Sequence, residues 1–117
     1  MHITDLNRVA KVVPAMEGAK NIYKQVPIGR EHGTPNFSFR VFTIEPGGYT
    51  PLHTHPFEHL NYIIAGTGVV VDQANNTERP VKKGDFILVM PNETHQYRNA
   101  SDSDDMVMIC AVPREYE

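Results

Sequence analysis

The stretch Gly47-Gly48-Tyr49-Thr50-Pro51-Leu52-His53-Thr54-His55-Pro56-Phe57-Glu58-His59 gathers three of the chain's six histidines. Side chains two apart in an extended segment share a face, so His53 and His55 point one way and Thr54 the other. A turn at Pro56-Phe57 can bring His59, opening the next strand, alongside them. Neutral imidazole is the commonest transition-metal ligand, and three converging imidazoles outline half of an octahedron. A fourth donor must come from elsewhere. Of the remaining histidines only His95 opens a late strand-like run, Thr94-His95-Gln96-Tyr97-Arg98, whereas His32, beside Gly33 and close to Pro35, reads as a solvated loop residue. The candidate ligands are therefore His53, His55, His59 and His95, holding one divalent ion per subunit.

Strands must position these ligands. Phe37 to Glu45 is rich in aromatic and branched residues and is expected to end at Pro46-Gly47-Gly48. Arg40 shares one face of it with Ser38 and Phe42; facing inward it would meet a substrate carboxylate or peroxide, facing outward it would pair with an acid. Leu60 to Ala65 is a second strand, Val69 to Gln73 returns beside it, and Asn75-Asn76 makes a hairpin turn. Phe86 to Met90 reads as a buried strand, Thr94 to Asn99 runs back from the turn at Pro91-Asn92-Glu93, and Met106 to Val112 is apolar on both faces. Regular short strands, turn signals at nearly every junction and no sustained helical period predict an all-β sandwich or barrel. Ahead of it, residues 1–28 are expected to form an arm with a strand-like end at Ile22 to Val26, lying on the barrel and partly across a second subunit of a homodimer; residues 29–117 form the barrel.

At 117 residues the chain is one domain with a single candidate pocket. A formal charge of -3 leaves no basic footprint for nucleic acid. No apolar run approaches a membrane span, and the N-terminus lacks the pattern of a signal peptide. The lone Cys110 excludes an internal disulfide and fits a reducing cytoplasm.

The histidine stretch and the later turn together resemble the two motifs of the cupins. The first, G(X)5HXH(X)3,4E(X)6G, is met by Gly47, His53, His55, position 59 and Gly66, with His59 standing where the family usually has Glu. The second, G(X)5PXG(X)2H(X)3N, falls on Gly84, Met90, Asn92, His95 and Asn99. Met90 replaces its proline and Asn92 its turn glycine, a substitution that Asn's tolerance of the left-handed conformation allows. The resemblance spans Phe37 to Pro113 and implies a single-domain cupin jelly-roll β-barrel, similar to small cupins with an all-histidine site, often holding manganese. It favours manganese or iron, with zinc, nickel or copper as alternatives.

Four protein ligands on an octahedral ion leave two open positions, as catalysis or chelate binding requires. With His59 in place of a glutamate the ion keeps its full positive charge, which strengthens it as a Lewis acid, and an obvious internal base is lost. Arg40, Phe42, Ile63, Tyr97, Met108 and Cys110 are the candidate substrate pocket, with Asn61 and Tyr62 as polar additions. The expected function is a dioxygenase-like oxidoreductase acting on a small apolar or aromatic molecule. The alternatives are a Lewis-acid lyase or isomerase, including hydroxynitrile-lyase-like chemistry, and a non-catalytic small-molecule-binding module.

Overall fold

The computed structural model describes residues 1–117. Eight antiparallel strands curl into a half-barrel: β1 (Lys20–Ile28), β2 (Phe37–Tyr49), β3 (His59–Ala65), β4 (Thr67–Asp72), β5 (Thr77–Lys82), β6 (Phe86–Val89), β7 (His95–Arg98) and β8 (Met106–Pro113). Their order across the sheet is β5-β4-β7-β2-β8-β3-β6, with β1 paired to β2. Such jumps between sequence order and sheet order are the mark of a jelly roll, in which many neighbouring strands, such as β2 and β8, come from distant parts of the chain.

Register explains which side chains meet. β2 pairs with β8 from Phe37↔Pro113 to Ile44↔Met106, and β8 pairs with β3 from Leu60↔Ala111 to Ala65↔Val107. Arg40, Cys110 and Asn61 therefore lie in one row across three strands, and Phe42, Met108 and Ile63 in another. Along β8, Met106, Met108, Cys110 and Val112 are buried, and the residues between them are only partly so. Ile44, Ile63 and Met106 have no exposed surface, and burying each such side chain contributes roughly 1.5–3 kcal/mol.

Three elements differ from the sequence expectation. β2 does not stop at Pro46 but runs to Tyr49, because β1 follows it through a bulge: the pairing moves from Ile22↔Ile44 to Lys20↔Tyr49. Gly48 permits this approach, since a Cβ there would sit 2.7 Å from the Lys20 carbonyl oxygen. β6 is not buried: Phe86 and Leu88 stand on the outer face, 83% and 57% exposed. β5 carries one buried residue, Val81, and occupies a sheet edge, where Pro80 costs no ladder bond, so neither its pattern nor its proline announced a strand.

Within residues 1–28, Lys20–Ile28 is a strand of the sheet, with Ile22 in the core. Residues 6–12 before it are tied to β1 of their own barrel, while Met16 and Ala19 pack against the core. The Gln25 amide Nε2 donates to the carbonyls of Leu6 and Val9, each at 2.8 Å, and Val12 bridges Lys24. A 3-10 turn at Arg114–Tyr116 closes the chain, with Tyr116 stacked on Phe57 at 3.9 Å between ring centroids. No helix is long and apolar enough to cross a membrane.

Candidate metal centre

His53 and His95 are brought face to face by the backbone: each N–H donates to the other's carbonyl, at 3.1 and 3.0 Å. His55 is held by a second clasp, the Asn92 N–H donating to its carbonyl at 2.8 Å. Asn92 adopts φ 68°, the left-handed geometry that the turn before His95 requires. The two motifs are thus joined through main-chain hydrogen bonds, and the imidazoles follow. The ligand atoms of His53, His55 and His95 all lie within 4.8 Å of one another.

Hydrogen bonding fixes their tautomers. Nδ1 of His53 lies 2.8 Å from the Pro51 carbonyl, that of His55 2.7 Å from Phe57 and that of His95 2.8 Å from Glu93. A carbonyl only accepts, so each Nδ1 carries the proton and each Nε2 keeps its lone pair. Backbone bonds of this kind are what orient histidines on metals. The Nε2 of His55 is buried and has no partner. A buried acceptor without a donor is costly, and a divalent ion held by His53, His55 and His95 would relieve it. The donor set fits a divalent transition metal.

His59 stands beside this trio rather than within it. Its ring lies 3.8 Å from that of His55, and its Nε2 faces Arg40 Nη2 at 3.3 Å. A guanidinium only donates, so His59 Nε2 accepts and its proton sits on Nδ1. Burial holds the buried imidazoles neutral: desolvation lowers His55 and His95, and pushes His59 down to about 2. Neutral imidazole is the form that binds metal.

A cavity of ≈ 210 Å³ adjoins these rings. Of the residues expected from the sequence, Arg40, Phe42, Tyr97, Met108 and Cys110 line it along with the four histidines. Ile63 does not. It is fully buried in the core, on the same face of β3 as His59 and Asn61, and contributes nothing to the cavity wall. Asn61 is itself turned to Tyr97, its Nδ2 donating to the phenol oxygen at 2.7 Å, and Tyr62 faces outward against Phe86. Burial raises both the Tyr97 phenol and the Cys110 thiol, so each stays protonated. Met16, Thr50 and Phe57 complete the wall. Thr50 and Phe57 flank histidines in the motif and were open to notice; Met16 arrives from the distant N-terminal segment, and no local pattern marks it.

The Cupin domain family matches residues 40–112, well over half of the chain. The chain belongs to the cupins. Among curated relatives, auxin-binding protein 4 of Zea mays is 24% identical over 119 residues, covering 96% of this cupin and 57% of the maize protein. The chain thus spans little more than half the length of that relative. The polyketide cyclase RemF from Streptomyces resistomycificus superposes with a TM-score of 0.92 at 23% identity, covering 97% of this chain and 79% of RemF. Ectoine synthase from P. lautus gives a TM-score of 0.78 at 19% identity, covering 97% of this chain and 78% of the synthase. At these identities the likeness is one of fold, and a single architecture carries unlike reactions.

Proposed function

We propose that this cupin is a metal-dependent enzyme that applies Lewis-acid chemistry to a small apolar or aromatic molecule, as a lyase, isomerase or cyclase. The main support is the convergence of three imidazoles, each with its Nε2 lone pair free, at one side of a mostly apolar cavity. His53, His55 and His95, with His59 as fourth donor, would hold the ion, which when bound would supply Lewis-acid polarisation of an oxygen of the bound molecule. Imidazole-only donors suit zinc, iron or nickel as well as the manganese expected from the sequence. Coordination by His59 uses the lone pair that otherwise faces Arg40.

The rest belongs to the chain. At ≈ 210 Å³ the cavity lies below the roughly 300–1,000 Å³ usual for drug-sized ligands, so its occupant is small. Phe42, Phe57, Met16 and Met108 exclude water from it and favour a flat apolar body. No Asp or Glu lines the cavity, and His59 is held neutral, so no wall residue is a strong base. The substrate must then carry an acidic C–H or O–H whose proton leaves readily once its oxygen is polarised. The fold neighbour RemF is by name a polyketide cyclase.

Three oxidisable sulfurs, those of Met16, Met108 and Cys110, share the wall, which disfavours a site that activates oxygen. A dioxygenase-like oxidoreductase is the second reading, favoured by the same apolar lining. Metal-free protein reloaded with zinc under anaerobic conditions, and separately with iron or manganese in air, separates the two when presented with enolisable aromatic compounds. Turnover by the zinc form without oxygen is the expected result. Turnover confined to iron or manganese and matched by oxygen uptake would replace it with the second reading. We further propose that the chain works as a homodimer, because Phe39, Leu60, Phe86 and Leu88 are exposed together on the outer face of the sheet.

A further inference from the structure

We propose that Arg40 forms an anion-binding subsite in the cavity, so that the small molecule bound there carries an ionised oxygen, such as a carboxylate or enolate, held by the guanidinium beside the metal position.

Arg40 is a cation with no counter-charge. The chain's other close charge pairs use Arg8, Arg30, Lys82, Arg98 and His32, and none includes Arg40. Its three nitrogens are poorly served. Nη2 donates to the Cys110 thiol sulfur at 3.1 Å, a weak acceptor, and to His59 Nε2 at 3.3 Å. Nη1 reaches the Tyr116 carbonyl only at 3.5 Å, and Nε is buried without a partner. A half-buried guanidinium with such weak partners is stabilised by the arrival of an oxygen anion, because hydrogen bonds to ionised acceptors are about twice as strong as neutral ones.

Position makes the site useful. Arg40 lies in the row Arg40, Cys110, Asn61 across β2, β8 and β3, and its Nη2 contacts His59, whose ring in turn lies 3.8 Å from His55. One imidazole therefore separates the guanidinium from the three-histidine cluster. Glu117, next to the Tyr116 carbonyl that Arg40 reaches, is already engaged: Ser38 Oγ and the Arg30 N–H both donate to its Oε2. The Phe42 ring, 5.1 Å below the guanidinium carbon, steadies the side chain without neutralising it. A molecule with one oxygen at the histidines and an anionic oxygen at Arg40 satisfies both.

The inference rests on the small-molecule reading above, and its test separates the two. Benzoate and its neutral counterpart benzamide, matched in size, are titrated calorimetrically into the full chain, zinc-loaded and chelator-treated, as wild type, Arg40→Gln and Arg40→Lys. Wild type is expected to bind benzoate at least tenfold more tightly than benzamide in both metal states. Arg40→Gln should lose that preference, while Arg40→Lys, which keeps the charge, should retain part of it and serves if the glutamine variant fails to fold. Equal affinities for the two probes in wild type, no measurable benzoate binding, or a preference undiminished in Arg40→Gln would each overturn the proposal. A preference seen only with zinc and indifferent to Arg40 would assign the anion to the metal, overturning the subsite while leaving the proposed function standing.

Discussion

His55 and His59 are neighbours with different duties, and the difference is visible in what each nitrogen touches. His55 has Nδ1 bound to the Phe57 carbonyl and an orphaned Nε2, whereas His59 has its Nε2 on Arg40. Removing the first takes away a donor from the converged trio; removing the second takes away the proposed fourth donor, whose lone pair must first leave Arg40. His55→Ala is therefore expected to lose stoichiometric metal, while His59→Ala should bind it roughly 10–100-fold more weakly. Metal content after dialysis and a competitive chelator titration measure both. Equal losses in the two variants would show that His59 holds the ion as firmly as the converged trio does.

Rows and clasps between strands decide which of these residues can meet. Ile63 shares a row with Phe42 and Met108, both of which line the cavity, yet it is itself sealed in the core and does not. Ile63→Ala should accordingly cost about 2–5 kcal/mol, as buried truncations of this kind do, without changing metal affinity. Chemical denaturation and metal titration of the same variant check the two halves. The tight turn at Gly66 is set by backbone rather than by packing choice. Its φ is 79°, and a Cβ would clash with the Asp105 carbonyl oxygen. Gly66→Ala should destabilise by roughly 1–3 kcal/mol from the left-handed backbone alone, with the clash adding to it. A variant as stable as wild type would show that the β3–β4 turn can relax away from Asp105.

For the whole molecule, neutral histidines packed into one wall tie stability to pH. Burial lowers His55, His59 and His95 in the folded state, while in the unfolded chain each titrates near the ordinary value of about 6.5. Below that pH the unfolded chain binds protons that the folded chain refuses, so stability rises with pH across the window. The melting temperature of metal-free protein should be level above pH 7 and fall steadily as pH drops from 6.5 toward the folded value of His59, about 2. Metal should raise the melting temperature most at neutral pH, because it binds only the folded, deprotonated site. A metal-free melting temperature unchanged between pH 7 and 5 would mean that the histidines are solvated. At the same scale, the exposed Leu60 and Phe86 should hold a dimer together; Leu60→Glu with Phe86→Glu is expected to sediment as a monomer while keeping its metal.

The sequence by itself determined the all-β class, the register of both histidine motifs and the left-handed place of Asn92, because these rest on local rules: alternation along a strand, turn chemistry and fixed spacing. It also named five of the residues around the cavity besides the histidines. Whether Arg40 faced in or out was undecidable locally, since a strand has two equivalent faces until its partners are known; pairing with Cys110 on β8 decided it. Depth was equally hidden. Ile63 shares its strand face with His59 and its row with Phe42 and Met108, yet it is sealed in the core while they reach the cavity. Tertiary structure alone brought Met16 to the wall and set His59 against Arg40, because both depend on where distant segments cross, and no spacing along the chain encodes that.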